Sequence, residues 1–417
     1  VKIIIHRGTN EIGGSCVVVE HQGTRVLIDA GTPLDDSPAS LPENVGDFDA
    51  VLISHSHQDH YGLLAQLPPE VPVYIGKVAW NFVQGVSFFK PDGSLLPHKP
   101  IFFEAGKPVQ IGAIKVLPLM VDHSSPDAFG FLLEAGAKKI YYSGDFRAHG
   151  RKGKTFEYLC SHLPKDIDAI LLEGTMLCRD NSKYSSENEV EQGVLDAAKA
   201  EDGLVCVNFS AQNIDRLVSV YRAAKRSGRI FVVDIYTAWI MRVAQKLSPK
   251  IPDMSWDDIR VLSKDRPAGF YYGVIKKNPD YFGRFTHELY KQGTVLTVED
   301  IVTSPSRYLM RLNENYTGYI LDRLEGKSAT VIYSQWAGYL DNRCTHYNAK
   351  AAELRDREDC KFDLIHTSGH AVVEDLKRFV EAVQPQRIIP LHTEYKELYA
   401  STFSNVHVLE DGQVLEL

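Results

Sequence analysis

Ser54-His55-Ser56-His57-Gln58-Asp59-His60 sets four metal-binding side chains within six residues. The apolar run Val51-Leu52-Ile53 leads into it, and the apolar, helix-like stretch Tyr61-Gly62-Leu63-Leu64 follows. Residues two apart on an extended segment point the same way, so His55 and His57 can grip one ion together. Asp59 and His60 fall where the chain turns into the helix and address a neighbouring point. One short loop thus offers half of two adjacent sites. Imidazole nitrogen with carboxylate oxygen suits Zn²⁺ or a similar borderline ion better than Ca²⁺ or Mg²⁺. A merely histidine-rich surface loop would need neither the buried strand, nor the helix, nor ligand partners elsewhere in the chain.

The chain has 417 residues, more than one ordinary core holds, so two domains are expected. With 44% hydrophobic and 24% charged residues it reads as globular and water-soluble. Cys16, Cys160, Cys178, Cys206, Cys344 and Cys360 are scattered without a CxxC pair. Free thiols in a reducing, cytoplasmic compartment are therefore expected, and a cysteine zinc site is not. No apolar run approaches membrane-spanning length, and no signal-peptide pattern precedes the first strand, Val1 to His6. A net charge of −8 does not advertise nucleic-acid binding, although bound cations and local basic segments can make a cleft positive.

Short strands and turns fill the first part, from Cys16–Val19 to Ala169–Glu173. After Glu173 the order becomes strand, helix, strand, helix: Leu204 to Phe209, Asn213 to Lys225, Ile230 to Asp234, Thr237 to Leu247. That alternation predicts a parallel sheet. Near residue 360 the first character returns. Residues 1–174 and 358–417 are expected to form one discontinuous domain, with 175–357 inserted into it.

Two ions need about seven protein ligands besides water. His123 follows the strand Ile114 to Leu117, and Asp145 ends the strand from Lys139 in Ser143-Gly144-Asp145. Its two carboxylate oxygens can bridge two cations. His392 ends another buried strand. Strand ends are where open α/β folds place their sites.

His-x-His-x-Asp-His, then His123 in His-Ser-Ser-Pro-Asp-Ala-Phe-Gly, then Ser143-Gly144-Asp145, resembles the metallo-β-lactamase superfamily. Leu172-Glu173-Gly174-Thr175, Phe209-Ser210-Ala211-Gln212-Asn213, Thr367-Ser368-Gly369-His370-Ala371 and Pro390-Leu391-His392 narrow the resemblance to its β-CASP nucleases. The resemblance implies an α/β fold, a metallo-β-lactamase αββα sandwich carrying an inserted parallel-sheet domain. It also implies that His55, His57 and His123 hold one divalent ion, that Asp59, His60 and His392 hold a second, and that Asp145 bridges them. Zinc is the expected metal, with manganese also accommodated. Asp29 matches the buried aspartate that orients the ligand loop. Glu173, His370 and His392 match the three β-CASP motifs. Histidine at the third favours RNA over DNA.

The chemistry so implied is RNA phosphodiester hydrolysis by a hydroxide held between two ions. Asp59 belongs to the catalytic group, and His370 protonates the departing ribose oxygen while Glu173 raises its pKa and orients it. The alternatives are a DNA nuclease of the same family and a small-molecule hydrolase on the same fold. Single-stranded RNA is the expected partner, a membrane is not, and a homo-oligomer is left open. Candidate RNA contacts are Ser210, Asn213 and Arg216 at a helix start, where free N–H groups favour phosphate, and Ser368 and Gly369 before His370. Ser210 is equally a candidate helix cap, and Arg216 equally a domain buttress. Arg147 to Lys154 is a basic stretch suited to a phosphate backbone or to plain solvation. Between 264 and 291, aromatic residues from Phe270 to Phe285 alternate with Arg266, Lys276, Lys277 and Arg284, as base-stacking surface or as core.

Overall fold

The structure is a computed structural model that describes residues 1–34, 39–43, 45–89, 95–179, 183–262, 269–291 and 295–417. Val1–Ser87, Ser94–Asn181 and Ser368–Leu417 form one compact unit; Phe88–Gly93 and Ser182–Thr367 form another.

Two sheets make the first unit. One runs, in spatial order, Val414–Glu416, Lys2–Arg7, Cys16–His21, Thr24–Ile28, Ala50–Leu52, Val73–Ile75, Pro100–Phe102. The other runs Ile388–Leu391, Ala169–Glu173, Lys138–Tyr142, Phe129–Ala135, Ile114–Met120, Val109–Ile111. Alternating side chains explain how they stack. Val17, Val19, Val26 and Ile28 of the first sheet share one buried cluster with Val116, Phe131, Leu133, Ile140 and Leu171 of the second. The residues between them face outward and are buried as well. Val18, Leu27 and Val51 lie under Ala79, Trp80 and Val83 of the helix Lys77–Ser87. Leu132, Tyr141 and Ile170 lie under Phe156 and Leu159 of Gly153–His162, and under Leu376 and Phe379 of Val373–Val383. Strands covered on both faces read as continuous apolar runs rather than as alternation. The result is the helix–sheet–sheet–helix sandwich expected, although the helices Lys77–Ser87 and Gly153–His162 were not anticipated.

The second unit holds a parallel sheet ordered Val295–Leu296, Ile259–Leu262, Ile230–Val233, Tyr308–Arg311, Leu204–Asn208, Ala329–Tyr333, Lys361–Leu364. Helices follow its strands, two of them capped by Asn213 and Asp234, whose side chains accept from the N–H groups of Arg216 and Thr237. The expected boundary at 357/358 needs correction. Lys361–Leu364 pairs with Ala329–Tyr333 and so belongs to the inserted sheet, and the chain re-enters the first unit only at Ser368. It then pairs Ile388–Leu391 in parallel with Ala169–Glu173, setting Leu391 beside Glu173 and His392 just beyond the strand end.

Candidate metal centre

His55, His57, His123, Asp145 and His392 lie just past the end of a strand of the sandwich, and Asp59 and His60 lie on the short helix Gln58–Tyr61. Ala50–Leu52 delivers the histidine loop, Ile114–Met120 delivers His123, Lys138–Tyr142 delivers Asp145, and Ile388–Leu391 delivers His392. Gly31 must be glycine here, because a Cβ would lie 1.7 Å from the Asp59 carbonyl oxygen. Asp29 and His392 adopt left-handed backbone, with φ of 58° and 53°. That conformation is costly for residues other than glycine and concentrates at functional sites.

Among the described residues, three groups have their ligand atoms within 4.8 Å of one another: His55, His57 and His123; Asp59, His60, Asp145 and His392; and Glu173, His370 and His392. In the first, His57 Nδ1 lies 3.0 Å from His55 Nε2 and 3.1 Å from His123 Nε2. Hydrogen bonds on the far side of the rings fix which nitrogens carry lone pairs. His123 Nδ1 donates to the Gly369 carbonyl at 3.0 Å, since that oxygen can only accept. Ser54 Oγ gives its proton to Asp29 at 2.8 Å and so accepts from His55 Nδ1 at 3.1 Å. The Nε2 lone pairs of both rings then face the cluster. Burial holds the pKa of His55 and His123 well below the ordinary value, and that of His57 below it, which keeps the rings neutral as ligands must be.

The second cluster is electronegative. His60 Nε2 lies 3.2 Å from Asp145 Oδ2, and His392 Nε2 lies 3.3 Å from Asp59 Oδ2. Burial disfavours charge on His60, but Asp145, Asp29 and Asp59 outweigh it and raise its pKa well above normal. Burial raises the Asp59 carboxyl, yet His60 and His392 pull it down to about 2. Asp145 Oδ2 also lies 3.8 Å from His55 Nε2, so this carboxylate stands between the first and second clusters. His60 Nε2 and Asp145 Oδ1 are buried and make no hydrogen bond. Buried polar atoms without partners are costly. Imidazole nitrogens and carboxylate oxygens converging on one point form a donor set that fits divalent cations.

Asp29 orients this set. It is fully buried and accepts from Ser54 N–H at 2.7 Å, His60 Nδ1 at 2.7 Å and Tyr142 Oη at 2.6 Å, besides Ser54 Oγ. A carboxylate behind a ligating histidine fixes its tautomer and raises its basicity. Thr175 does comparable work at His392, its Oγ1 lying 2.9 Å from Nδ1. The sequence reading missed Thr175 and Tyr142. Tyr142 shares the inward face with Ile140, so strand alternation could have flagged it.

Glu173 and His370 meet beside the second cluster. Glu173 is buried, accepts the N–H groups of Thr175 and Ala371, and places Oε2 3.4 Å from His370 Nδ1. Burial lowers the His370 pKa, but Glu173 and then Asp145 raise it further, and the net shift is upward. The His370 side chain is 21% exposed, enough for a substrate to reach. It does not cap the helix after it, whose N-cap is Val372.

The expected RNA contacts fare differently. Arg216 is fully buried in the second unit, with a two-point ion pair to Glu187 at 3.0 and 3.2 Å and further bonds to Ser334, His366 and Thr367. It is the buttress and not a phosphate ligand. Asn213 spends its side-chain oxygen on capping, at 2.9 Å from Arg216 N, so Asn213 and not Ser210 is the cap. Ser210 stays exposed. The Ser368 carbonyl is taken by Arg147 and His149, its Oγ by the His370 N–H, and the Gly369 carbonyl by His123. These two residues shape the loop rather than offer those atoms to a substrate. Of the basic stretch, Arg147 is buried and Lys152 donates to the His123 carbonyl. Among the aromatics, Phe282 and Phe285 are buried against Trp239 as core, Tyr271 and Tyr281 are half-buried against Phe89 and Phe88, and Phe270 is 60% exposed. Arg266 lies outside the described residues.

Comparison with known proteins agrees with this geometry. Residues 24–203 match the model of a beta-lactamase superfamily domain, and residues 360–403 match a Zn-dependent metallo-hydrolase RNA specificity domain. Ribonuclease J of Mycobacterium tuberculosis is 25% identical over 94% of this chain and 69% of its own length. Ribonuclease J 1 of Streptococcus pyogenes is 22% identical over 98% of this chain and 73% of its own. A crystal structure of a protein of unknown function from Enterococcus faecalis superposes with a TM-score of 0.76 at 19% identity, covering 100% of this chain and 99% of that one. The last likeness speaks for the fold. No helix among the described residues is long and apolar enough to cross a membrane. A superfamily model early in the chain, an RNA-specificity model on its return, and relatives reaching across both units agree: the chain is a hydrolase of the metallo-β-lactamase fold, and its matches fit the β-CASP family.

Proposed function

We propose that the chain is a metal-dependent ribonuclease that hydrolyses phosphodiester bonds of single-stranded RNA. The observation that carries this reading is the partly exposed His370 held against buried Glu173 at the edge of the second ligand cluster. The names of the relatives and the RNA specificity domain support RNA as the substrate.

His55, His57 and His123 would hold one ion, Asp59, His60 and His392 the other, and Asp145 would stand between. Divalent ions so held would neutralise phosphate charge and lower the pKa of a water. Asp29, Ser54 and Thr175 keep the ligand rings turned inward with their lone pairs forward. Glu173 keeps the His370 ring facing it through Nδ1, which leaves Nε2 to deliver a proton to the departing ribose oxygen. Such a general acid contributes roughly 10²–10⁴-fold in rate.

The test uses end-labelled single-stranded RNA and the matching DNA, with zinc- or manganese-loaded protein and its His370→Ala variant. Cleavage of RNA, with DNA spared and the variant slowed by roughly 10²–10⁴-fold at unchanged metal content, is expected. Cleavage of neither strand by protein with its ions bound would sink the reading.

A further inference from the structure

Arg147 is fully buried two residues after Asp145, an expensive place for a cation. Its surroundings show what it holds. The segment Asp122 to His123 lies against it: Arg147 N–H donates to the Asp122 carbonyl at 2.7 Å, and Nε is 4.0 Å from Asp122 Oδ1. The turn after Arg147 wraps the same carboxylate, with Gly150 N–H donating to Oδ2 at 2.8 Å. Gly150 has no room for a side chain, since a Cβ would lie 2.4 Å from Asp122 Oδ1 and 2.5 Å from Arg147 Nε. Held from behind, the guanidinium reaches forward through Nη1 to the Ser368 carbonyl at 2.8 Å. His149 Nε2 donates to the same oxygen at 3.0 Å.

That carbonyl begins the segment carrying His370. Its next polar groups are also held: the Gly369 carbonyl by His123, the His370 N–H by Ser368 Oγ, and the Ala371 N–H by Glu173. His123 and Glu173 are already committed to the site. Arg147 and His149 are not, and their hydrogen bonds reach the His370 segment through its backbone.

We propose that Arg147, seconded by His149, is a positioning residue for His370. The buried guanidinium fixes the direction of the Ser368 carbonyl, and with it the path by which the imidazole reaches Glu173. A neutral donor would take away a cation packed against Asp122. This rests on the reading of His370 as the proton donor.

The experiment compares wild type, Arg147→Met, Arg147→Lys and His370→Ala, with Arg147→Met also made in the His370→Ala background. It reads kcat and KM on single-stranded RNA, metal content by mass spectrometry, melting temperature, and hydrogen exchange of peptides spanning 366–372. Arg147→Met is expected to keep its ions and its KM, to lose about 10–100-fold in kcat, and to exchange faster over 369–371. Arg147→Lys is expected to recover part of the loss. In the His370→Ala background the Arg147 change is expected to cost almost nothing more, because the group it positions is gone. An equal loss in both backgrounds, or unchanged exchange over 369–371, would overturn the proposal. Should Arg147→Met fail to fold, His149→Phe removes the other donor and carries the same test at smaller amplitude. If the wild type cleaves no RNA, the functional reading fails, while hydrogen exchange still decides whether Arg147 holds the segment.

Discussion

Two buried polar networks, one in each unit, answer opposite needs. Around Arg216 in the inserted unit, each guanidinium nitrogen donates to a protein acceptor, from Glu187 to Ser334 and Thr367. Around Asp145 in the sandwich, His60 Nε2 and Asp145 Oδ1 find no hydrogen bond, and imidazole nitrogens face one another at about 3 Å. The saturated network is finished by the protein alone. The unsaturated one is finished by something the chain does not encode. Between these two networks, satisfaction of the buried polar atoms separates the strut from the site where charge and residue type do not.

The contrast breaks most visibly at Asp145. Asp145→Ala should lose bound metal and RNA cleavage together, with activity falling to background, while the melting transition of the metal-free protein moves little; mass spectrometry and a cleavage assay read both. Retained metal at full occupancy would contradict its place between the clusters. At the strut the opposite is expected. Glu187→Gln leaves the Arg216 cation buried without its carboxylate and should cost about 3–5 kcal/mol of stability. Denaturant titration measures this, and metal affinity should stay as in wild type. Asp29→Asn sharpens the comparison from within the site. It removes acceptor capacity from His60, Ser54 and Tyr142, and about 10–100-fold weaker metal binding is expected by competition with a chelator.

The smallest effect concerns acid. In the inserted unit Asp253 is buried, which alone raises its pKa, but Arg242 and Ser255 bring it below the ordinary value. A depressed carboxyl stabilises the fold above its unfolded pKa, and that contribution fades as pH falls through the folded value. The stability of Asp253→Asn should accordingly depend less steeply on pH below about 4 than that of wild type.

Much of the site was legible because its information is local. Four ligands sit in one heptapeptide, and His123, Asp145 and His392 each follow a recognisable apolar strand. The strand-and-helix order after Glu173 likewise announced the inserted sheet. What failed depends on partners far along the chain. Arg216 looks like a phosphate ligand at a helix start until Glu187 is found across its side chain. Ser368 looks available until Arg147, more than two hundred residues earlier, takes its carbonyl. The strand Lys361–Leu364 went to the wrong domain because its short, part-exposed pattern suits either sheet, and only its pairing with Ala329–Tyr333 decides.

The left-handed backbone at Asp29 and His392 has a consequence for how this protein could change. Such strain costs of the order of 1–3 kcal/mol per residue, and glycine would release it at either position. Release would also delete the carboxylate that turns His60 or the imidazole at the strand end. At these two positions a selection for heat resistance and a selection for turnover would pull the sequence apart, and a lineage freed from catalysis would be expected to drift there first.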